Sequence, residues 1–345
     1  MKKPFWGTML AIVIPIFSFT YSSYAFDRII IAPDGNTYFA PYNGKGNRYI
    51  AKYDKYNNKS SWEHPVRNQD NCHLSYISLD PTGSKITYVA FCNLTNTKSS
   101  ESAAQSFYRL VILDVNNSKE VASFDHGGSI FSFSPKGNAI VYAEEIPGER
   151  GSPAPPGYQG GVWLYNFNYK TNRMILPAPT GITDLNWSEH DGNIYILINP
   201  QVIKYDLKRS KSDLVSYPGI YFSSDGKYNF SASESLIFRT QDNREMKDWE
   251  NMIRNEGDYP DNTTFVYVCW SKKLNAAIFT VGNHKYVIFD PSQGKVIGSF
   301  RALFIGINGE GTKAAVHPLG SDRRAQFDKV EILNLLDLVQ QKSGP

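Results

Sequence analysis

One hairpin, repeated along the chain, constrains the fold more than any other feature. Residues Ile130–Tyr142 read Ile-Phe-Ser-Phe-Ser-Pro-Lys-Gly-Asn-Ala-Ile-Val-Tyr. Two runs rich in β-branched and aromatic residues flank a short loop whose glycine can supply a positive φ, which is the pattern of a β-hairpin. The copies are Ile31-Ala-Pro-Asp-Gly35, Leu79-Asp-Pro-Thr-Gly83, Phe133-Ser-Pro-Lys-Gly137, Trp187-Ser-Glu-His-Asp-Gly192, Phe222-Ser-Ser-Asp-Gly226, Trp270-Ser-Lys-Lys-Leu274 and Ile307-Asn-Gly-Glu-Gly311. The fourth has one extra residue and the sixth has lost its glycine. Counted between apolar anchors, the steps are 48, 54, 54, 35, 48 and 37 residues, in the range of propeller repeats.

A four-stranded sheet on its own leaves two faces and two edges exposed. Arranged radially, such sheets bury their faces against one another and protect most edges. The chain is therefore read as all-β: a β-propeller of seven four-stranded blades, forming a single domain over residues 26–345. The rival reading splits two β-domains at the Pro/Gly-rich stretch 146–160. The hairpin continues unchanged on both sides of it. Twenty-two tyrosines and twenty phenylalanines suit strands better than helices. A short helix is expected within 244–255, where Met246, Trp249, Met252 and Ile253 fall at helical spacing. The last clear strand is Lys329–Leu333, followed by a weak outer strand or a tail.

Residues 1–25 have the layout of a signal peptide. Lys2 and Lys3 precede the apolar run Met9–Phe19, and Ser23-Tyr24-Ala25 offers small residues for cleavage before Phe26. The run is short and broken by Pro15, unlike a spanning helix. The mature protein is expected to be periplasmic or secreted, without a stable membrane anchor, and monomeric. A net charge of +3 gives no electrostatic argument for nucleic acid, and no such partner is expected.

The anchor–Ser–Pro–Asp/Lys–Gly pattern resembles the WD40-like repeats of TolB-type propellers, which are secreted or periplasmic. Asp290-Pro-Ser-Gln-Gly-Lys-Val296 is similar to the Asp-x-x-x-Gly-Lys turn of another secreted propeller repeat. The likeness covers nearly the whole mature chain but departs from TolB in lacking a separate N-terminal α/β domain. It implies the fold and is nearly silent on activity, because such propellers serve as scaffolds, ligand binders and enzymes.

Catalytic signatures are missing. Gly127-Gly128-Ser129 lacks the second glycine of a nucleophile elbow. Gly306–Lys313 ends Thr-Lys rather than Lys-Thr, unlike a P-loop. No zinc-type Cys/His spacing occurs. Asp184 and Asp258 are acids near the channel mouth without a visible ligand set, so neither a metal nor a cofactor is expected. His64, His73, His126, His284 and His317 all map to connections at one face of a propeller, and His190 to the other. Among the three cysteines, Cys72 falls opposite Cys92 if Leu79 pairs with Lys85, so this pair is expected to be disulfide-bonded. Cys269 reads as a small buried residue.

The long connections Asn93–Ser106, Ile146–Gly160, Asn255–Thr263 and His317–Gln326 fall on that same face. Loops carried on a rigid scaffold are where binding residues concentrate. Candidates there are Arg150, Tyr158, Trp249, Arg254, Tyr259, His317, Arg323 and Arg324. The expected function is a non-catalytic binding or scaffold propeller that meets a protein or small-molecule partner on this face. The alternative is a propeller enzyme, a lactonase-like hydrolase or a lyase, with its site over the channel.

Overall fold

A computed structural model describes residues 29–342, apart from 45–46, 67–71, 95–104, 126, 145–159, 178–180, 199, 232–235, 256–258, 260–262, 283, 323 and 327–328. Seven antiparallel sheets follow one another along the chain, each built from consecutive strands. Blade one comprises β1 (Ile30–Ile31), β2 (Thr37–Gly44), β3 (Asn47–Asp54) and β4 (Lys59–Pro65). Blade two comprises β5 (Cys72–Leu79), β6 (Lys85–Leu94), β7 (Gln105–Asp114) and β8 (Glu120–Asp125). Blade three comprises β9 (Gly127–Phe133), β10 (Ala139–Glu144), β11 (Gly161–Asn166) and β12 (Thr171–Pro177). Blade four comprises β13 (Ile182–Trp187), β14 (Ile194–Ile198), β15 (Gln201–Asp206) and β16 (Lys211–Val215). Blade five comprises β17 (Tyr221–Phe222), β18 (Tyr228–Ser231), β19 (Leu236–Arg239) and β20 (Arg244–Glu245), followed by α1 (Trp249–Asn255). Blade six comprises β21 (Phe265–Ser271), β22 (Ala276–Val281), β23 (Lys285–Asp290) and β24 (Lys295–Arg301). Blade seven comprises β25 (Leu303–Ile307), β26 (Lys313–His317) and β27 (Glu331–Asn334), and the chain then enters α2 (Leu335–Lys342).

The seven-bladed propeller stands, with a difference in its last blade. Among the described residues that blade has three strands, and the stretch from Leu335, read as a weak outer strand or a tail, is a helix. The amphipathic run Leu335, Leu338, Val339 packs on Ile288 and Phe300 of blade six, which a strand's alternation would not allow. Gly298 leaves room for it: a Cβ there would lie 3.5 Å from the Leu338 backbone.

The repeat has a physical explanation in its first turn. In six of the seven copies the residue after the anchor is a buried polar one: Asp80, Ser134, Ser188, Ser223, Ser271 and Asn308; the first copy has Ala32 there. In four of these turns the side chain accepts the N–H where the second strand begins. Lys85 N donates to Asp80 Oδ1 (2.5 Å), Ala139 N to Ser134 Oγ (3.0 Å), Tyr228 N to Ser223 Oγ (2.9 Å) and Lys313 N to Asn308 Oδ1 (2.9 Å). Five of the turns also lie against a neighbour. A Cβ at Gly83 would strike Pro33, one at Gly137 Asp80, one at Gly226 His190, one at Gly311 Ser271 and one at Gly35 Lys313. The turns thus interlock around one face.

A second turn type joins the third and fourth strands. Asp54, Asp114, Asn166, Asp206 and Asp290 each accept the N–H two residues on, an Asx-turn. Four of these five turns close on a non-glycine residue at positive φ: Asn57, Ser118, Lys170 and Ser210.

The core lies between blades. Ile29, Ile31 and Tyr38 of blade one pack on Ala315 of blade seven. The ring is therefore closed by face packing between its first and last blades. Cys72 and Cys92 are register partners and are joined as a disulfide across β5 and β6.

Candidate functional site

The two faces of the ring differ in construction. One face carries the hairpin turns just described, and contacts cross it. Lys272 of blade six is ion-paired with Glu189 of blade four (2.7 Å), and a Cβ at Gly309 would lie 3.6 Å from the Pro81 carbonyl oxygen. The other face carries the longer connections, including 246–264 with α1 and 318–330.

The predicted loop-face residues divide into three groups. Arg150, Tyr158 and Arg323 lie outside the described residues, as does Asp258. Trp249 is a core residue, contrary to its reading as a loop-face contact. It is 2% exposed and stacks on Phe279 at 4.6 Å between centroids. Helical spacing located α1 but did not say which side of it turns inward. Arg254 works as a brace: its guanidinium donates to the Thr263 carbonyl (2.7 Å) and lies over the Phe265 ring. Tyr259, His317 and Arg324 remain at the surface of this face. His317 Nδ1 is hydrogen-bonded to the Lys329 carbonyl (2.6 Å), and Arg324 is largely exposed beside Asp322. Among the other histidines, His64 Nδ1 bonds the Ser118 carbonyl (3.0 Å), and His190 serves the turn interlock.

The missing fourth strand of blade seven leaves the outer part of blade six uncovered. Helix α2 covers one end of that gap. At the other end, on the long-loop face, a cleft of about 880 Å3 opens between the two blades. Val281, Ala302, Val316 and Leu333 form its apolar floor, and Tyr259, His284, Lys285, Arg301 and Glu331 its polar rim. Leu319 is brought to the rim by a small hairpin in which it bridges to Ala325. Among the described residues of the predicted set, Tyr259 lines this cleft. Lys285, Arg301 and Glu331 were not legible, because strand register brings them together and no sequence spacing marks it.

The channel wall holds a second polar feature. Tyr221 of blade five donates its hydroxyl to Asp184 Oδ2 of blade four (2.7 Å). Burial raises the Asp184 carboxyl above its usual range, with hydrogen bonds from Tyr221 and the Leu185 N–H pulling the other way. Among the described residues no three His, Cys, Asp or Glu side chains come together as a metal site would require. Burial pushes the Cys269 thiol up to about 12, which leaves it protonated and unreactive. No helix among the described residues is long and apolar enough to cross a membrane.

No protein-family model matches the chain, and no curated protein matches it. Solved structures do. U3-55K is similar at 9% identity, over 91% of this chain and 97% of that one, with a TM-score of 0.55. A chain of the mitotic checkpoint complex is similar at 9% identity, over 91% and 90%, with a TM-score of 0.53. TolB from Acinetobacter baumannii matches at 13% identity and a TM-score of 0.37, over 89% of this chain, which spans 60% of the TolB chain's length. At such identities the first two likenesses bear on the fold alone, and that fold is the repeat propeller the hairpins resemble.

Proposed function

We propose that this chain is an exported, non-catalytic binding propeller that meets a protein or small-molecule partner on its long-loop face. The cleft between blades six and seven carries the reading. It is the concave, largely apolar surface with a few convergent polar groups that ligand sites share, and it opens on the face that the interlocking turns leave free. The signal-like residues 1–25 and the Cys72–Cys92 disulfide support export, since disulfides persist in oxidising compartments. The remainder, from Phe26 onward, acts as one folded unit.

Paired substitutions test it. Partner capture from the native compartment is compared for the wild type, for Tyr259→Ala with Leu319→Ala at the cleft, and for Lys136→Ala with Lys227→Ala in the opposite turns. The cleft pair loses capture by at least about tenfold while melting as the wild type does; the turn pair leaves capture unchanged. Loss from the turn pair and none from the cleft pair would reverse the assignment.

A further inference from the structure

Lys285 and Arg301 face each other directly across β23 and β24. Register partners in an antiparallel pair project from the same side of the sheet, and both of these line the cleft. Like charges placed directly opposite destabilise a sheet, so the pair is unfavourable until an anion joins it. Among the described residues neither cation is within ion-pair distance of a carboxylate. The Lys285 ammonium rests over the Tyr259 ring, 4.1 Å from its centroid, and Arg301 is exposed. The backbone behind them is fixed. His284 holds a φ of 58°, and its carbonyl accepts the Ala302 N–H at 3.0 Å, tying the hairpin end to the start of blade seven.

The opposite wall limits what anion can enter. Glu331 is the single carboxylate among the described lining residues. It repels a multiply charged group such as phosphate, yet it offers an acceptor to an amide N–H. Between the walls lies the apolar floor of Val281, Ala302, Val316 and Leu333. Resting on the binding reading above, we infer that the cleft takes the C-terminal carboxylate of an extended, apolar polypeptide segment from a partner protein. The Arg301 fork and the Lys285 ammonium receive the carboxylate, an apolar side chain fills the floor, and Glu331 accepts a backbone N–H of the segment.

The test uses the full mature chain and calorimetric titration with an N-acetylated pentapeptide ending in Val-Leu, supplied as the free acid and as the C-terminal amide. The acid binds at least about tenfold tighter than the amide. Lys285→Gln with Arg301→Gln binds the two forms alike and keeps the wild-type melting temperature. Glu331→Gln, a variant that leaves both cations in place, tightens the acid and not the amide. Equal binding of acid and amide by the wild type, no binding of the acid, or inorganic phosphate binding as tightly as the acid would each overturn the ligand class. If the peptides fail while Tyr259→Ala with Leu319→Ala still loses its partner, the ligand class falls and the binding reading stands. If that variant keeps its partner, the binding reading itself falls.

Discussion

Asp184 sits on the innermost strand of blade four and takes a hydrogen bond from the Tyr221 hydroxyl of the next blade. Burial is the main reason its carboxyl holds its proton more tightly than usual. The unfolded chain therefore gives up this proton first as pH rises. What the group contributes to stability is complete below the ordinary carboxylate pKa and is lost as pH climbs through the raised folded-state value. Asparagine keeps the shape and removes the charge. The melting temperature of Asp184→Asn, relative to wild type, is thus higher at about pH 7 than at about pH 3.5. Thermal melts at the two pH values decide it; a difference that does not change with pH would mean the carboxyl is not desolvated in the fold. At this scale the sequence pointed to the Cys72–Cys92 pair, although Leu79 pairs with Ile86 rather than Lys85 and a bulge between Leu74 and Tyr76 restores the register at the cysteines. It was silent where two blades had to meet. Nothing near Asp184 in the chain points to Tyr221.

The hairpin turn is the element that organises each blade, and two of its glycines separate the causes of its form. Gly311 and Gly192 have nearly the same backbone, φ 71° and 72°. A Cβ at Gly311 would run into the Ser271 backbone, whereas one at Gly192 would meet nothing within 4 Å. Gly192→Ala should cost about 1–2 kcal/mol, the strain of a left-handed residue. Gly311→Ala should cost about 1–3 kcal/mol more, from overpacking against the neighbouring turn. Denaturant unfolding of both variants measures the difference; equal losses would mean that the turns merely touch. These first turns were readable because Pro and Gly announce them. The second turns were nearly invisible, since Lys170 or Ser210 in a left-handed conformation looks like any loop residue. Lys285 and Arg301, sixteen positions apart, become a pair only once β23 and β24 are in register.

For the molecule as a whole, the seam where blade one meets blade seven is one of the thinner interfaces, with four buried apolar residues. Strand β1 is two residues long, and blade seven has three described strands. The seam is held by Ile29, Ile31 and Tyr38 on Ala315 rather than by a strand shared between the end blades. Local opening starts where buried apolar contact is least. Amides of β26 should therefore exchange with solvent faster than those of β10, whose residues Ala139–Ala143 are all buried within the ring. Hydrogen exchange followed by mass spectrometry reads both segments. Equal protection would show that the ring opens only as a unit.

The interlock of the turns has a direction. Pro33 lies over Gly83, Asp80 over Gly137, His190 over Gly226 and Ser271 over Gly311, each earlier blade resting on the one that follows. During synthesis the N-terminal blades emerge first. The turns of Gly83, Gly137, Gly226 and Gly311 then each slide beneath a partner that is already in place, so the growing chain supplies its own template. Only Gly35 must wait, because the Lys313 that covers it comes from the last blade. A chain that has emerged only in part would be an open arc with one finished edge and one unfinished edge, and the finished edge would be the same blade throughout.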